Sequence, residues 1–80
     1  MITKVHIIGL GLMGTNLGIK LAEKGILVSG SDVLEKNVIR AREYGALNKE
    51  FNHKENYDLT ILAMNDAAEE LKKFSFDTNN

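Results

Sequence analysis

Short apolar runs alternate with longer amphipathic segments along most of the chain. The apolar runs have the length of strands, and their near-continuous hydrophobicity suits parallel strands that are covered on both faces. The amphipathic segments repeat apolar residues at helical spacing, and Gly25 and Gly45 follow the first two of them where a left-handed cap is common. The pattern predicts strands at 4–8, 26–30 and 59–63, helices at 12–24, 33–44 and 66–74, and a polar loop at 48–56.

This β-α-β-α-β-α order predicts an α/β fold, a Rossmann-type half-domain with a three-stranded parallel sheet. The domain is expected to span 1–74, with 75–80 as a disordered tail. In the doubly wound strand order 3-2-1-4-5-6, the first strand pairs with the fourth on its far side. The pattern provides no fourth strand, so strand one is predicted to be an open edge. Self-association or a further domain would then have to cover that edge.

The turn between the first strand and the first helix reads Gly-Leu-Gly-Leu-Met-Gly. Gly9 allows a tight turn, Gly11 allows the backbone to approach a pyrophosphate, and Gly14 allows the helix to lie close to the sheet. Gly18, one turn later in the helix, is expected to lie against a strand in the same way. The backbone N–H groups of Leu12 and Met13 are expected to face the phosphates at the positive end of the helix dipole. The Met13 side chain is expected to pack in the core. The alternative is a glycine-rich turn with a purely structural role.

Asp32 follows the second predicted strand, 23 residues after Gly9. A carboxylate at that point can accept hydrogen bonds from both adenosine ribose hydroxyls, and it would repel the additional phosphate of NADP. Val33 and Leu34 follow it rather than an arginine, which favours NAD over NADP. The alternative is a helix cap, since Asp32 and Glu35 have the spacing of a capping box.

Composition limits the other function classes. The chain has 80 residues, a net charge of −1 and no cysteine. It is therefore sized for one small domain, lacks the charge typical of nucleic-acid or anionic-membrane binding, and has no thiolate site. No apolar stretch has the length of a bilayer span and no secretory signal is evident, so a cytoplasmic location is expected. His6 and His53 lack neighbours at catalytic or metal-ligand spacing, so both are expected to be packed or solvent-facing, and no metal site is predicted.

The turn and the helix after it carry a longer pattern: residues 8–17 read IGLGLMGTNL and residues 21–25 read LAEKG. This pattern resembles the amino terminus of the β-hydroxyacid dehydrogenases, including the 3-hydroxyisobutyrate and 6-phosphogluconate dehydrogenases, which open with a similar Gly-Leu-Gly-x-Met-Gly. It is also similar to the prephenate and arogenate dehydrogenases. The stretch 57–64 resembles the third strand of both groups.

The resemblance implies the NAD-binding part of a dehydrogenase that transfers a hydride from a hydroxyacid or prephenate-type substrate. The catalytic residues of these families lie beyond the end of this sequence. No catalytic residue is therefore assigned, and the isolated chain is expected not to turn over. The resemblance also implies cofactor contacts at Met64 and Asn65; the families usually have a proline near this point, where this chain has Asn65.

Two alternatives belong to other function classes. One is a non-catalytic regulatory domain in which binding of NAD or NADH changes assembly, as in potassium transport systems with the same glycine-turn topology. The other is S-adenosylmethionine binding, which also uses a glycine turn and an acidic residue after strand two. The fold alone does not separate these functions, because one fold hosts many of them.

Overall fold

Three parallel strands and two helices form the part of the chain that the computed structural model describes, residues 1–63. The α/β fold class and the first five predicted elements are confirmed, with ends that differ by two residues at most. The third predicted helix, 66–74, and the predicted tail, 75–80, lie outside the described residues. The elements are β1 (Lys4–Ile8), α1 (Leu12–Glu23), β2 (Leu27–Ser31), α2 (Glu35–Glu43) and β3 (Leu59–Leu62).

The order of the strands differs from the prediction. The sheet has the order β2-β1-β3, with β1 in the centre and parallel to both neighbours. His6, for example, is in register with Ser29 on one side and with Thr60 on the other. The prediction that strand one is an open edge is therefore wrong, because the connection after α2 returns the chain to the far side of β1. Self-association, which no contact tests, stays a prediction.

The outer edge of β2 is occupied by Asn48 rather than by a strand. The backbone N–H groups of Asn48 and Lys49 donate to the Val28 carbonyl at 2.9 and 3.1 Å. The Asn48 side chain accepts from the Val28 N–H at 2.6 Å and donates to the Ile26 carbonyl at 3.0 Å. This short segment lies where the doubly wound order has its third strand, and β3 lies where that order has its fourth.

Helix α1 packs closely on the sheet through small residues. Gly14 and Gly18 are buried, and an added Cβ at Gly14 would lie 3.4 Å from Ile7 Cγ2 on β1. At Gly18 the close neighbour is Ala46, in the connection after α2, rather than the strand expected from sequence. Gly25 and Gly45 have φ values of 83° and 84°, which confirms the left-handed caps. The core consists of Val5, Ile7, Leu10, Val28, Ala41, Ala46, Leu47 and Ala63.

The other face of the sheet is covered at its centre by aromatic residues of the 44–58 connection. His6 is 4% exposed, and its ring centroid lies 4.1 Å from that of Phe51 and 5.8 Å from that of Tyr57. Its Nδ1 lies 2.7 Å from Ser29 Oγ and its Nε2 lies 3.2 Å from Ser31 Oγ. His6 is thus a packed histidine, one of the two environments expected from sequence, and His53 is exposed.

The burial of His6 predicts a pH-dependent stability. Burial lowers the pKa of His6 below its ordinary value of 6.5, so the unfolded chain binds a proton more readily than the folded chain. The free energy of unfolding is therefore expected to be unaffected by His6 above pH 6.5 and to fall as the pH decreases below that value. Urea unfolding between about pH 5 and pH 8 measures this effect, with a slope of up to about 1.4 kcal/mol per pH unit.

Two variants assign the titration. His6→Gln should flatten the unfolding free energy between pH 6.5 and about pH 5, because the buried titrating group is gone. His53→Gln should keep the slope, because that side chain is exposed. An equal slope in His6→Gln and the wild type would contradict the prediction.

Candidate functional site

A tight turn joins the carboxyl end of β1 to α1, and it requires a glycine at position 9. Gly9 has φ of 101°, a conformation that side chains rarely allow, and its N–H donates to the Ser31 carbonyl at 2.8 Å. The turn thus starts in register with the end of β2. The chain passes from β1 to β2 on one side and then, after α2, to β3 on the other side of β1. The carboxyl end of β1 is therefore a topological switch point of the sheet, where doubly wound folds bind ligands.

Gly14 lets the first turn of α1 pass directly over Gly9. An added Cβ at position 14 would lie 1.9 Å from the Gly9 carbonyl oxygen and 3.0 Å from its carbonyl carbon. These atoms belong to the backbone and cannot move aside as a flexible side chain would. The close packing predicted for Gly14 is present, and glycine is the residue type that fits there.

The amino terminus of α1 is open to solvent on the turn side. Gly11 occupies the N-cap position in an extended conformation, and within the described residues it forms no side-chain cap; the first turn of the helix has no acidic residue. Leu12 is 74% exposed and Met13 is 58% exposed. The expectation that the Met13 side chain packs in the core is therefore wrong, because the buried face of α1 carries Gly14, Thr15 and Gly18 instead. Uncapped N–H groups at a helix start favour an anion.

Asp32 ties the end of β2 to the glycine turn. Its Oδ2 accepts a hydrogen bond from the Leu10 N–H at 2.7 Å, and its Oδ1 accepts one from the Leu34 N–H at 2.8 Å. Burial alone would raise the pKa of Asp32, but the two backbone donors, together with the Asn37 side chain and the Arg40 charge, outweigh it and lower the pKa below its ordinary value. The group is therefore ionised at neutral pH. Each carboxylate oxygen keeps a lone pair that can accept a ribose hydroxyl.

The same contact changes the start of α2. The hydrogen bond from Leu34 to Asp32 holds residues 32–34 in a local turn, and Leu34, in an extended conformation, becomes the N-cap of a helix that begins at Glu35. The alternative interpretation of Asp32, as the N-cap of a capping box, is therefore wrong. The Asp32 carboxylate instead accepts hydrogen bonds from the Leu34 N–H, in the turn before α2, and from the Leu10 N–H in the glycine turn.

Arg40 is a site residue that sequence reasoning missed. From the middle of α2, its Nη2 donates to the Leu10 carbonyl at 3.4 Å and to Asn37 Oδ1 at 3.2 Å. The Thr15 hydroxyl also donates to the Leu10 carbonyl, at 3.1 Å. Leu10 is therefore held by its N–H and by its carbonyl. The available signal was helical spacing, since Asn37 and Arg40 are three residues apart on a helix that starts beside Asp32.

A surface groove, separate from the glycine turn, lies on the sheet face opposite the core. It has a volume of about 490 Å³ and extends from the ends of β1 and β2, at Ile8 and Ser31, toward the aromatic residues that cover His6. One wall is Glu55, which forms an ion pair with Lys4 at 2.7 Å. The sequence assigned no ligand to this face.

The predicted cofactor residues therefore divide into two groups. The structure brings Asp32 together with the glycine turn at one edge of the sheet, the edge where β1 and β2 end. Met64 and Asn65 lie outside the described residues. The residues placed together are Gly9, Gly11, Leu12, Met13, Gly14 and Asp32.

Comparison with protein families identifies the family of the chain and the class of cofactor that goes with it. The family model of the NAD binding domain of 6-phosphogluconate dehydrogenase matches residues 4–77. The chain belongs to this family. The match covers all the described elements and confirms the resemblance to the 6-phosphogluconate dehydrogenase group, while the resemblance to prephenate dehydrogenases stays a prediction. Family membership supports a nicotinamide dinucleotide as the cofactor.

No curated protein and no solved structure matches the chain. Among the residues that the structure describes, no helix is long and apolar enough to cross a membrane.

Proposed function

We propose that this chain binds NAD in preference to NADP and serves as the cofactor-binding part of a dehydrogenase that acts on a hydroxyacid. The observation that carries the proposal is the ionised Asp32 carboxylate, held 2.7 Å from the Leu10 N–H beside an uncapped helix start. A carboxylate that is bonded to the glycine turn, next to a helix start with open backbone N–H groups, suits the ribose and the pyrophosphate of one ligand. A prephenate-type substrate is the alternative within the same proposal.

The chain's own residues have distinct roles in this proposal. Gly9 and Gly11 leave room for the pyrophosphate, and Gly14 keeps the helix start against the turn. The N–H groups of Leu12 and Met13 donate to the phosphate oxygens. Asp32 accepts hydrogen bonds from the adenosine ribose, and Met64 and Asn65 complete the site after β3.

The nicotinamide supplies the hydride chemistry when the cofactor is bound, and the protein orients it. No described residue is assigned to proton transfer. We propose that substrate binding and catalysis use residues outside these 80, so the chain alone should bind the cofactor without oxidising a hydroxyacid. Substrate oxidation by the purified chain would contradict this part of the proposal.

Calorimetric titration with NADH, NADPH and ADP-ribose tests the binding. NADH and ADP-ribose are expected to bind with similar affinity, because both contain the pyrophosphate and the unmodified adenosine ribose. NADPH is expected to bind more weakly, because its 2′-phosphate meets the Asp32 carboxylate. A folded chain that binds none of the three ligands would contradict the proposed function.

Gly11→Val is the matched variant for this titration. Its side chain would occupy the space of the pyrophosphate, so all binding should be lost while the far-ultraviolet circular dichroism stays that of the wild type. Leu12→Val gives a control at the neighbouring exposed position, because the helix N–H group is kept there. Unchanged NADH affinity in Gly11→Val would show that the turn does not approach the ligand.

A further inference from the structure

Arg40 places a permanent positive charge beside the predicted ribose site. Its two hydrogen bonds, to the Leu10 carbonyl and to Asn37 Oδ1, both use Nη2. Within residues 1–63, no hydrogen bond of its Nη1 or Nε is present. An arginine carries five N–H donors in a planar fork, so donors remain for a further acceptor.

Arg40 and Asp32 are linked through two shared neighbours. Both contact the backbone of Leu10: its N–H donates to Asp32, and its carbonyl accepts from Arg40. Asn37 Oδ1 accepts a hydrogen bond from Arg40. Hydrogen bonding by the Asn37 side chain and the positive charge of Arg40 both lower the pKa of the Asp32 carboxyl. Asp32 therefore has a cationic side chain nearby, although no arginine follows it directly in sequence and no ion pair joins the two side chains within residues 1–63.

This arrangement changes the expected response to a 2′-phosphate. An isolated carboxylate at the end of β2 repels that phosphate, while a guanidinium attracts it and matches its oxygens with two donors at once. NAD and NADP differ only in the group attached at the ribose position that Asp32 would face. The opposite charges of Asp32 and Arg40 therefore both influence the relative affinity for NAD and NADP.

We propose that Arg40 is a second specificity-determining residue, which accepts the 2′-phosphate of NADP, so that Asp32 and Arg40 together set a moderate preference for NAD. This inference rests on the proposed function and adds to it a residue and a direction of effect. Arg40 limits the discrimination that Asp32 creates. Loss of the Arg40 side chain should therefore strengthen the preference for NAD, and loss of the Asp32 charge should weaken it.

The test compares dissociation constants for NADH and NADPH in the wild type, Arg40→Met, Arg40→Lys and Asp32→Asn. Arg40→Met keeps the apolar stem and removes the charge, and the ratio of the NADPH to the NADH constant should rise about tenfold. Arg40→Lys keeps the charge, so its ratio should lie between those of Arg40→Met and the wild type. Asp32→Asn should lower the ratio, and the double variant with Arg40→Met should raise it again.

The outcomes separate this inference from the proposed function. If Arg40→Met weakens both cofactors by the same factor, Arg40 only supports the Leu10 turn, and the inference is wrong while the proposed function stands. An unchanged ratio with unchanged affinities also overturns it. If the folded wild type binds neither cofactor, the proposed function fails and this inference fails with it. Circular dichroism of each variant confirms that the comparison is between folded chains.

Discussion

Gly14→Ala is expected to reduce the stability of the chain more than any other single methyl addition to the described glycines. The new Cβ would lie 1.9 Å from the Gly9 carbonyl oxygen, so α1 would have to move away from the turn. Overpacking of a well-packed interior costs about 1–3 kcal/mol and occasionally more. A domain of this size lies near the lower end of the usual stability range of about 5–15 kcal/mol, so much of that stability would be lost. Urea unfolding followed by circular dichroism measures the change.

Gly45→Ala is the matched control for that experiment. Position 45 also has a positive φ, 84°, but no atom lies within 4 Å of the added Cβ. The substitution should therefore cost only the backbone penalty of about 1–2 kcal/mol. Equal losses of stability in the two variants would show that the contact between α1 and Gly9 is not tight.

Asp32→Ala is expected to have the largest effect on cofactor binding of any side-chain truncation at the site. It removes the acceptor for the ribose hydroxyls and releases the N–H of the fully buried Leu10. Hydrogen bonds to a charged group contribute about 1.5–3 kcal/mol, so NADH affinity should fall about tenfold or more. NADPH affinity should fall less, because the repulsion of its phosphate is also removed. Titration of both cofactors against the variant gives the two factors.

Asp58→Ala separates the loss of binding from a general loss of stability. The Asp58 carboxylate also accepts backbone hydrogen bonds, from Thr3 at 2.8 Å and from Lys4 at 2.9 Å, but at the amino ends of β1 and β3. Its loss should lower the unfolding free energy without changing the NADH affinity of the folded chain. Equal losses of NADH and NADPH affinity in Asp32→Ala would leave the ribose role of Asp32 unsupported.

The elements could be predicted from sequence because each one is encoded locally. The apolar runs of β1 and β3 and the glycines at 25 and 45 mark strands and helix ends by patterns a few residues long. The order of the strands is not encoded in this way. It depends on where the connection after α2 leads, and there the Asn48 side chain occupies the edge of β2 that the prediction had given to a strand.

The candidate site shows the same division. The spacing of the glycines and Asp32 predicted that they lie together at one edge of the sheet, since a short turn and a strand end are local features. The partners of Asp32 were not predictable, because its bond to Leu10 joins residues 22 positions apart, and the bond from Arg40 to Leu10 joins residues 30 positions apart. The exposure of Met13 was not predicted, because helical spacing alone does not say whether the apolar residues or the small residues of α1 form its buried face.

The central position of β1 has a consequence for the order in which the chain folds. β1 and β2 pair within a short βαβ unit, with Val5 opposite Val28. The other edge of β1 has to wait for β3, where Val5 meets Leu59. Closing the longer loop costs only slightly more entropy, but pairings this distant in sequence slow folding. In a chain whose β3 has not yet paired, the apolar β1 would have one edge exposed, and such an edge can pair with a neighbouring chain.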